Sequence, residues 1–308
     1  MTAFATYTPN PTIDVWGEVE RIYPTEKMRS TGVRHDPGGG GINVARMLHE
    51  LGSSVVAVHW SGGATRSLFE ALLERSGLPA RAVPIAGDTR ICQILRERET
   101  GHEFRVVPDG PQATQAACDA GLAVLADVPA DWIVASGSLP PGAPVDHYAR
   151  VAELARRRGC RFAIDCAGAP IRAVLASGSV DIVKVSRSEL AHLVARPLET
   201  AAAVDDAALA VLRTTQVARI LVSLGPDGAL LADSAGLHRV ATPPATVVST
   251  VGAGDSFLAG FLHALARGEE PASALAIAVA VGTAACLRPG TQLAARADVE
   301  RLRQEMRL

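Results

Sequence analysis

The sequence predicts an α/β protein: a mostly parallel sheet with a small β-sheet lid over its ligand edge. Three observations carry this. From Pro111 onward, short apolar runs alternate with helical patterns in regular β-α-β order. Before that, two stretches at about 13–35 and 89–107 interrupt the alternation with period-two patterns and are expected to pair with each other as the lid. At 308 residues and 48% hydrophobic, the chain can bury a sizeable core as one unit spanning 1–308.

In chain order, Ala3–Thr8 reads as a first strand, and Pro9-Asn10-Pro11 excludes helix and holds Asp14 at a strand end. Short strands around the turn Tyr23–Glu26 then place Lys27 and Arg29 two apart on one face. Four glycines, Gly38–Gly41, precede a helix from Val44 to Leu51. Strand 54–60, helix 65–76 and strand 81–85 follow, then a hairpin turning at Glu99–His102 that carries Arg90 and Arg105. The regular part has helix 112–127, strand 132–136, helix 144–158, strand 161–165, helix 170–176, strand 181–184, helices 188–195 and 202–214, and strand 219–223. Short strands 228–232 and 237–240, a helix from about Asp255 to Ala266, an aliphatic helix 272–287 and an amphipathic helix 296–306 close the chain.

Composition narrows the partners. A net charge of −2 without a basic run speaks against nucleic acid and anionic membranes, leaving a small molecule. Five scattered cysteines with no Cys-x-x-Cys pair suit a reduced cytoplasm. Met1–Thr8 lacks a basic start with an apolar core, and no apolar run reaches about 18 residues, so a soluble cytoplasmic protein is expected. There is no Gly-x-x-x-x-Gly-Lys-Ser/Thr, no Gly-x-Gly-x-x-Gly after a first strand, and no metal-ligand spacing among the eight histidines. All but two of the 30 basic residues are arginine, and the two exceptions, Lys27 and Lys184, both fall in stretches of interest.

The strongest chemical signal is Thr250-Val251-Gly252-Ala253-Gly254-Asp255. Two glycines at a helix start point backbone N–H groups into one small space, which suits an anion. A carboxylate there repels a phosphate unless it acts on something approaching it, such as a hydroxyl about to be phosphorylated. The plainer reading is a turn with Asp255 as helix cap. Gly38–Gly41 with Asn43 suits a ligand lying against backbone N–H groups, and Asp14 reads either as a sugar-hydroxyl contact or as a turn aspartate. Lys27, Arg29, Arg90 and Arg105 form either a phosphate cluster or solvated surface charge. The other strand ends gather Ser136–Gly142, Asp165, Lys184 with Glu189, and Ser223–Gly228 at one edge. Exposed lid edges invite a second subunit.

Gly38-Gly39-Gly40-Gly41-Ile42-Asn43-Val44-Ala45, Ser136-Gly137-Ser138-Leu139-Pro140-Pro141-Gly142, Ser223-Leu224-Gly225 and Thr250–Asp255 resemble, in this order and over the whole chain, the ribokinase-like (PfkB) carbohydrate kinases. The fit is closest to the hexose-phosphate kinases of that family, with 6-phosphofructokinase foremost. The resemblance implies a three-layer α/β/α fold and ATP- and Mg²⁺-dependent phosphorylation of fructose 6-phosphate at C1. It implies Asp255 as base, Gly252, Ala253 and Gly254 as anion hole, and Asp14, Gly39, Gly40, Asn43 and Ser138 on the sugar. Lys27, Arg29, Arg90 and Arg105 would clamp its phosphate, while Lys184, Ser186, Ser223, Gly225 and Gly228 would lie along ATP, with Glu189 reaching magnesium through water. A homodimer through the lid is also implied. Tagatose 6-phosphate or fructose 1-phosphate are alternative substrates, and a non-catalytic sugar-phosphate or nucleotide sensor is an alternative of another class. Two positions depart from the pattern: Ser186 stands where the family's Lys-Pro-Asn-x-x-Glu has Asn, and Ser249 stands where many members have Asp near a monovalent-cation site, which leaves K⁺ an open option.

Overall fold

Consecutive apolar residues in a strand demand cover on both faces, and the parallel strands here receive it. In the strand Trp132–Ser136 every residue is buried, and its side chains alternate between two cores: Trp132 and Val134 on one side, Ile133 and Ala135 on the other. The computed structural model describes residues 2–178 and 180–307; residues 1, 179 and 308 of the expected 1–308 unit lie outside the described residues.

The first half contains β1 (Ala3–Thr8), β2 (Thr12–Val19), β3 (Thr31–Gly38), α1 (Gly40–Glu50), β4 (Ser54–Gly62), α2 (Arg66–Arg75) and β5 (Ala80–Ile85). It continues through β6 (Arg90–Glu97), β7 (Glu103–Val106), α3 (Gln115–Ala126), β8 (Trp132–Ser136), α4 (His147–Arg157) and β9 (Arg161–Asp165). The second half adds α5 (Ala169–Ser177), β10 (Val180–Ser186), α6 (Arg187–Leu193), α7 (Ala201–Thr214) and β11 (Val217–Ser223). A 3₁₀ turn at Gly225–Asp227 leads to β12 (Ala229–Asp233), β13 (Gly236–Val240), α8 (Ala253–Ala266), α9 (Pro271–Cys286) and α10 (Arg296–Glu305).

The nine-stranded sheet runs β13-β12-β11-β10-β9-β8-β1-β4-β5, parallel from β11 to β5, with β12 and β13 antiparallel at one edge. Helices α1, α2, α8, α9 and α10 supply the core on one face and α3 to α7 the core on the other, giving the expected α/β/α layers. The strand order reverses direction between β1 and β8, so a crevice opens beyond their carboxyl ends. Helix α8 is locked against α9 by close approach: a Cβ at Gly260 would lie 2.9 Å from that of Val281, and one at Gly282 3.1 Å from that of Phe257.

The lid forms as expected from the two interruptions, in the order β3-β2-β6-β7, with β2 and β6 parallel and the outer pairs antiparallel. Three details differ from the expectation. Residues 20–30 hold no strand, so Lys27 and Arg29 lie in an exposed irregular stretch instead of on one strand face. Pro24 has no N–H to give a ladder and Thr25 takes a left-handed φ of 64°, so the second lid strand begins only at Thr31. Asp14 stands inside β2, paired with Asp36 and Cys92, and not at its end. Helix α1 starts at Gly40 and not Val44, because Gly39 (φ 103°) makes the turn and the Asn43 N–H bonds to Gly39 O at 2.9 Å. The four glycines are therefore a strand end, a cap and a first helical turn; a Cβ at Gly40 would meet Ser136 Oγ at 2.3 Å.

Candidate active site

Helix α8 begins at the carboxyl edge of the sheet because Gly252 takes the left-handed conformation (φ 73°, ψ 0°) that turns the chain into it. Its first-turn N–H groups have no intrahelical acceptors. That of Ala253 turns back to Thr250 O at 3.3 Å, which leaves those of Gly254 and Asp255 at the helix's positive end. Gly254 has a second reason to lack a side chain: a Cβ there would sit 2.8 Å from Lys184 Nζ.

Lys184 comes from β10 and is 7% exposed. Its Nζ donates to Asp165 Oδ2 at 2.9 Å, at the end of the neighbouring β9. Burial works against the ammonium, but the carboxylates of Asp165, Asp255 and Glu189 outweigh it and hold its pKa above the ordinary value. Asp255 Oδ2 accepts from Asn43 Nδ2 at 2.9 Å, which joins α1 to α8 across the crevice. Desolvation, reinforced by Asp165, pushes the Asp255 carboxyl up to about 6 against the opposing pull of Asn43, Lys184 and Arg105. A carboxyl so placed takes up and releases a proton near neutral pH.

Gly40, Ser136, Ser138, Asp165, Lys184, Glu189 and Asp255 line a cleft of about 490 Å³. Several buried polar atoms around it have no partner: Thr8 Oγ1, Asn10 Oδ1, Asn43 Oδ1 and Ser136 Oγ. With the amide nitrogen of Asn43 committed to Asp255, its oxygen is an acceptor suited to a ligand hydroxyl. The lid closes the same side. Asp14 is 4% exposed, and burial, with Asp36 adding to it, raises its pKa to about 7 despite Arg105 and Arg46.

The remaining expected residues divide. Arg90 spends three donors on backbone carbonyls of Asn10, Pro11 and Pro108, so it anchors the chain entering the lid, while also lining a second cleft with Ser138. Lys27 and Arg29 line none of the three clefts described in this subsection. Ser186, Ser223 and Gly225 line a third cleft, of about 450 Å³, beside the first. Gly228 closes the turn beneath it: a Cβ there would meet Val240 O at 1.9 Å, and its carbonyl accepts from Leu224 N at 2.8 Å.

Two pairings go beyond the sequence reading. Asp165, at the sheet edge, is the partner of Lys184, which no local pattern reveals. Ser186 and Glu189 form a capping box on α6: Ser186 Oγ accepts from Glu189 N at 3.3 Å and Glu189 Oε2 from Ser186 N at 2.6 Å. Its Ser-x-x-Glu spacing was the available signal.

For a metal, no group of three or more His, Cys, Asp or Glu suited to one exists among the described residues. Magnesium that keeps most of its waters and bridges to substrate phosphates needs only one or two carboxylates. Glu189, with Oε1 outside the capping box, and Asp165 fit that demand at the first cleft.

The family model described as pfkB family carbohydrate kinase matches residues 10–298. The chain belongs to that family. This kinase is 41% identical over 298 residues to ATP-dependent 6-phosphofructokinase isozyme 2 of Mycobacterium tuberculosis, covering 96% of this chain and 87% of the relative. It is 36% identical over 270 residues to a 1-phosphofructokinase of Xanthomonas campestris, covering 84% and 83%. The crystal structure of Escherichia coli phosphofructokinase-2 in complex with potassium superposes on the kinase with a TM-score of 0.95 at 33% identity, covering all of both chains. Other structures of that E. coli protein are a complex with fructose 6-phosphate and a tetrameric inhibited form.

Proposed function

We propose that this kinase transfers the γ-phosphoryl group of ATP to the C1 hydroxyl of fructose 6-phosphate, giving fructose 1,6-bisphosphate and ADP. The observation that carries the reading is Asp255: a carboxylate near pKa 6, oriented by Asn43, at the open positive end of α8 beside a buried lysine. Asp255 accepts the C1 hydroxyl proton as the new O–P bond forms and the bond to the β-phosphate oxygen breaks. The amides of Gly252–Gly254 receive the charge of the moving group, with Gly254 and Asp255 N–H the least committed. Lys184 offsets charge on the departing ADP.

Asp14, Gly39, Gly40, Asn43 and Ser138 seat the sugar, and Lys27, Arg29, Arg90 and Arg105 hold its phosphate. The nucleotide lies along Lys184, Ser186, Ser223, Gly225 and Gly228. Glu189 would hold magnesium through water, and the ion would there supply charge neutralisation for the phosphates. The whole chain works as one catalytic unit. The lid's outward apolar residues Val33, Ile91, Phe104 and Val106 support a homodimer through that face. No described helix is long and apolar enough to cross a membrane, and the five cysteines are free, which supports a cytoplasmic enzyme.

ADP release is measured with Mg²⁺ and ATP on fructose 6-phosphate, tagatose 6-phosphate and fructose 1-phosphate side by side. Fructose 6-phosphate is expected to turn over fastest. Preference for fructose 1-phosphate favours the second reading, which the 36% identical 1-phosphofructokinase motivates. Release with none of them leaves a sensor. Repeating the assay with tetramethylammonium in place of potassium tests the cation that the E. coli complex suggests.

A further inference from the structure

The loop ahead of the catalytic corner is held from the lid. Ser249, 3% exposed, donates from Oγ to Glu103 Oε2 at 2.8 Å, and the same Oγ accepts from the Val251 N–H at 3.2 Å, one residue before Gly252. Glu103 opens β7, the outermost lid strand on that side, and its other oxygen, Oε1, accepts from Trp16 Nε1 of β2 at 3.3 Å. One carboxylate therefore bridges two lid strands to the turn that shapes the corner.

Packing runs beside the bond. Trp16, Cys92 and Ile94 of the lid form a small apolar cluster with Val251, and a Cβ at Gly290 would approach Trp16 Cδ1 to 2.7 Å. Arg34 of β3 lies 5.5 Å from the Trp16 ring and donates to Pro289 O at 2.7 Å. The same lid face presents Asp14 and Arg105 towards the crevice, and the charge of Arg105 is felt at Asp255.

We propose that Glu103 is a positioning residue: through Ser249 it sets the shape of the Gly252–Asp255 turn according to how the lid is seated. This rests on the kinase reading above. An unseated lid loses the Glu103–Ser249 bond and loosens the turn, so the anion-binding amides hold their working geometry while the lid is seated as it is here, and a sugar beneath the lid favours that seating. Phosphoryl transfer to water is thereby disfavoured until an acceptor is enclosed.

The test uses the full chain with Glu103→Ala, Ser249→Ala, the double variant and Glu103→Gln. Each alanine variant is expected to lower kcat about tenfold, the size of one hydrogen bond to a charged group, with KM for sugar phosphate and ATP within about threefold. The double variant should fall by clearly less than the product of the two single losses, since the Glu103–Ser249 bond is lost in both, while only Glu103→Ala also loses Trp16 Nε1 and only Ser249→Ala also loses the Val251 N–H. Glu103→Gln should recover part of kcat, because its amide oxygen still accepts from Ser249. Independently of turnover, hydrogen exchange at amides 250–255 in the ligand-free protein should quicken in Glu103→Ala. Normal kcat in both alanine variants, losses that multiply in the double variant, or unchanged exchange would overturn the proposal. If the wild type phosphorylates no sugar phosphate, the kinase reading fails, and the exchange result alone decides whether Glu103 holds the turn.

Discussion

In the nine-stranded sheet helices cover both faces, and alternation along a strand only sorts side chains between two apolar cores. In the four-stranded lid the same alternation sorts inward polar and packed groups from exposed apolar ones. Ladder pairing aligns Asp14 with Cys92 and Ile94 with Arg105, placing Trp16 and Glu103 on the same inward side. The opposite side carries Ile91, Phe104 and Val106 into solvent. The large sheet places polar groups at its strand ends, whereas the lid's inner face mixes the charged Asp14, Arg105 and Glu103 with a small apolar cluster of Trp16, Cys92 and Ile94.

That contrast can be broken most sharply at its meeting point. Asp255→Asn keeps the bond geometry near Asn43 but removes the base, and kcat is expected to fall roughly 10²–10⁴-fold with little change in KM. Steady-state rates check it, and near-normal kcat would rule out Asp255 as the base. Next, Ile133→Ala, fully buried at the centre of the large sheet, should cost about 2–5 kcal/mol in denaturant unfolding while kcat of the folded fraction stays close to normal.

Asp14 tests the lid's inner face through pH. Its pKa rises on folding to about 7, so the folded state binds a proton more tightly than the unfolded one. Stability from this group is fully present below the ordinary carboxyl range near 4 and is lost as pH rises through about 7. Relative to wild type, Asp14→Asn should therefore gain stability between pH 4 and pH 8, by roughly 4 kcal/mol at most. Unfolding at the two pH values measures it, and a pH-independent difference would contradict the shift. The smallest effect on folding belongs to the outer face: Val106→Ser, 66% exposed, should change unfolding free energy by no more than about 0.5 kcal/mol yet weaken self-association seen in solution mass.

Much of this was legible from local pattern. The Gly-Ala-Gly-Asp corner, the strand and helix alternation and the two lid segments rest on short-range spacing, and each stands where expected, within a few residues. What stayed hidden joins residues far apart: Asn43 with Asp255, Asp165 with Lys184, Glu103 with Ser249. Periodicity says which face a residue occupies but not which distant element meets it. The irregular course of 20–30 is hidden for a related reason, since apparent alternation there has no neighbouring strand to satisfy it. The early start of α1 reflects tertiary packing overriding glycine's poor helix propensity, because only glycine fits against Ser136.

The lid's two ribbons leave and rejoin the main body at four separate places: before Thr12, after Gly38, before Arg90 and after Val106. Parallel pairing of β2 with β6 stitches them into one plate. A plate moored at four points can tilt but has no single hinge about which to swing wide. Entry and exit of a sugar phosphate are then expected to follow a shallow rocking of that plate, and shortening any one mooring should slow sugar exchange, read by stopped-flow binding, more than nucleotide exchange.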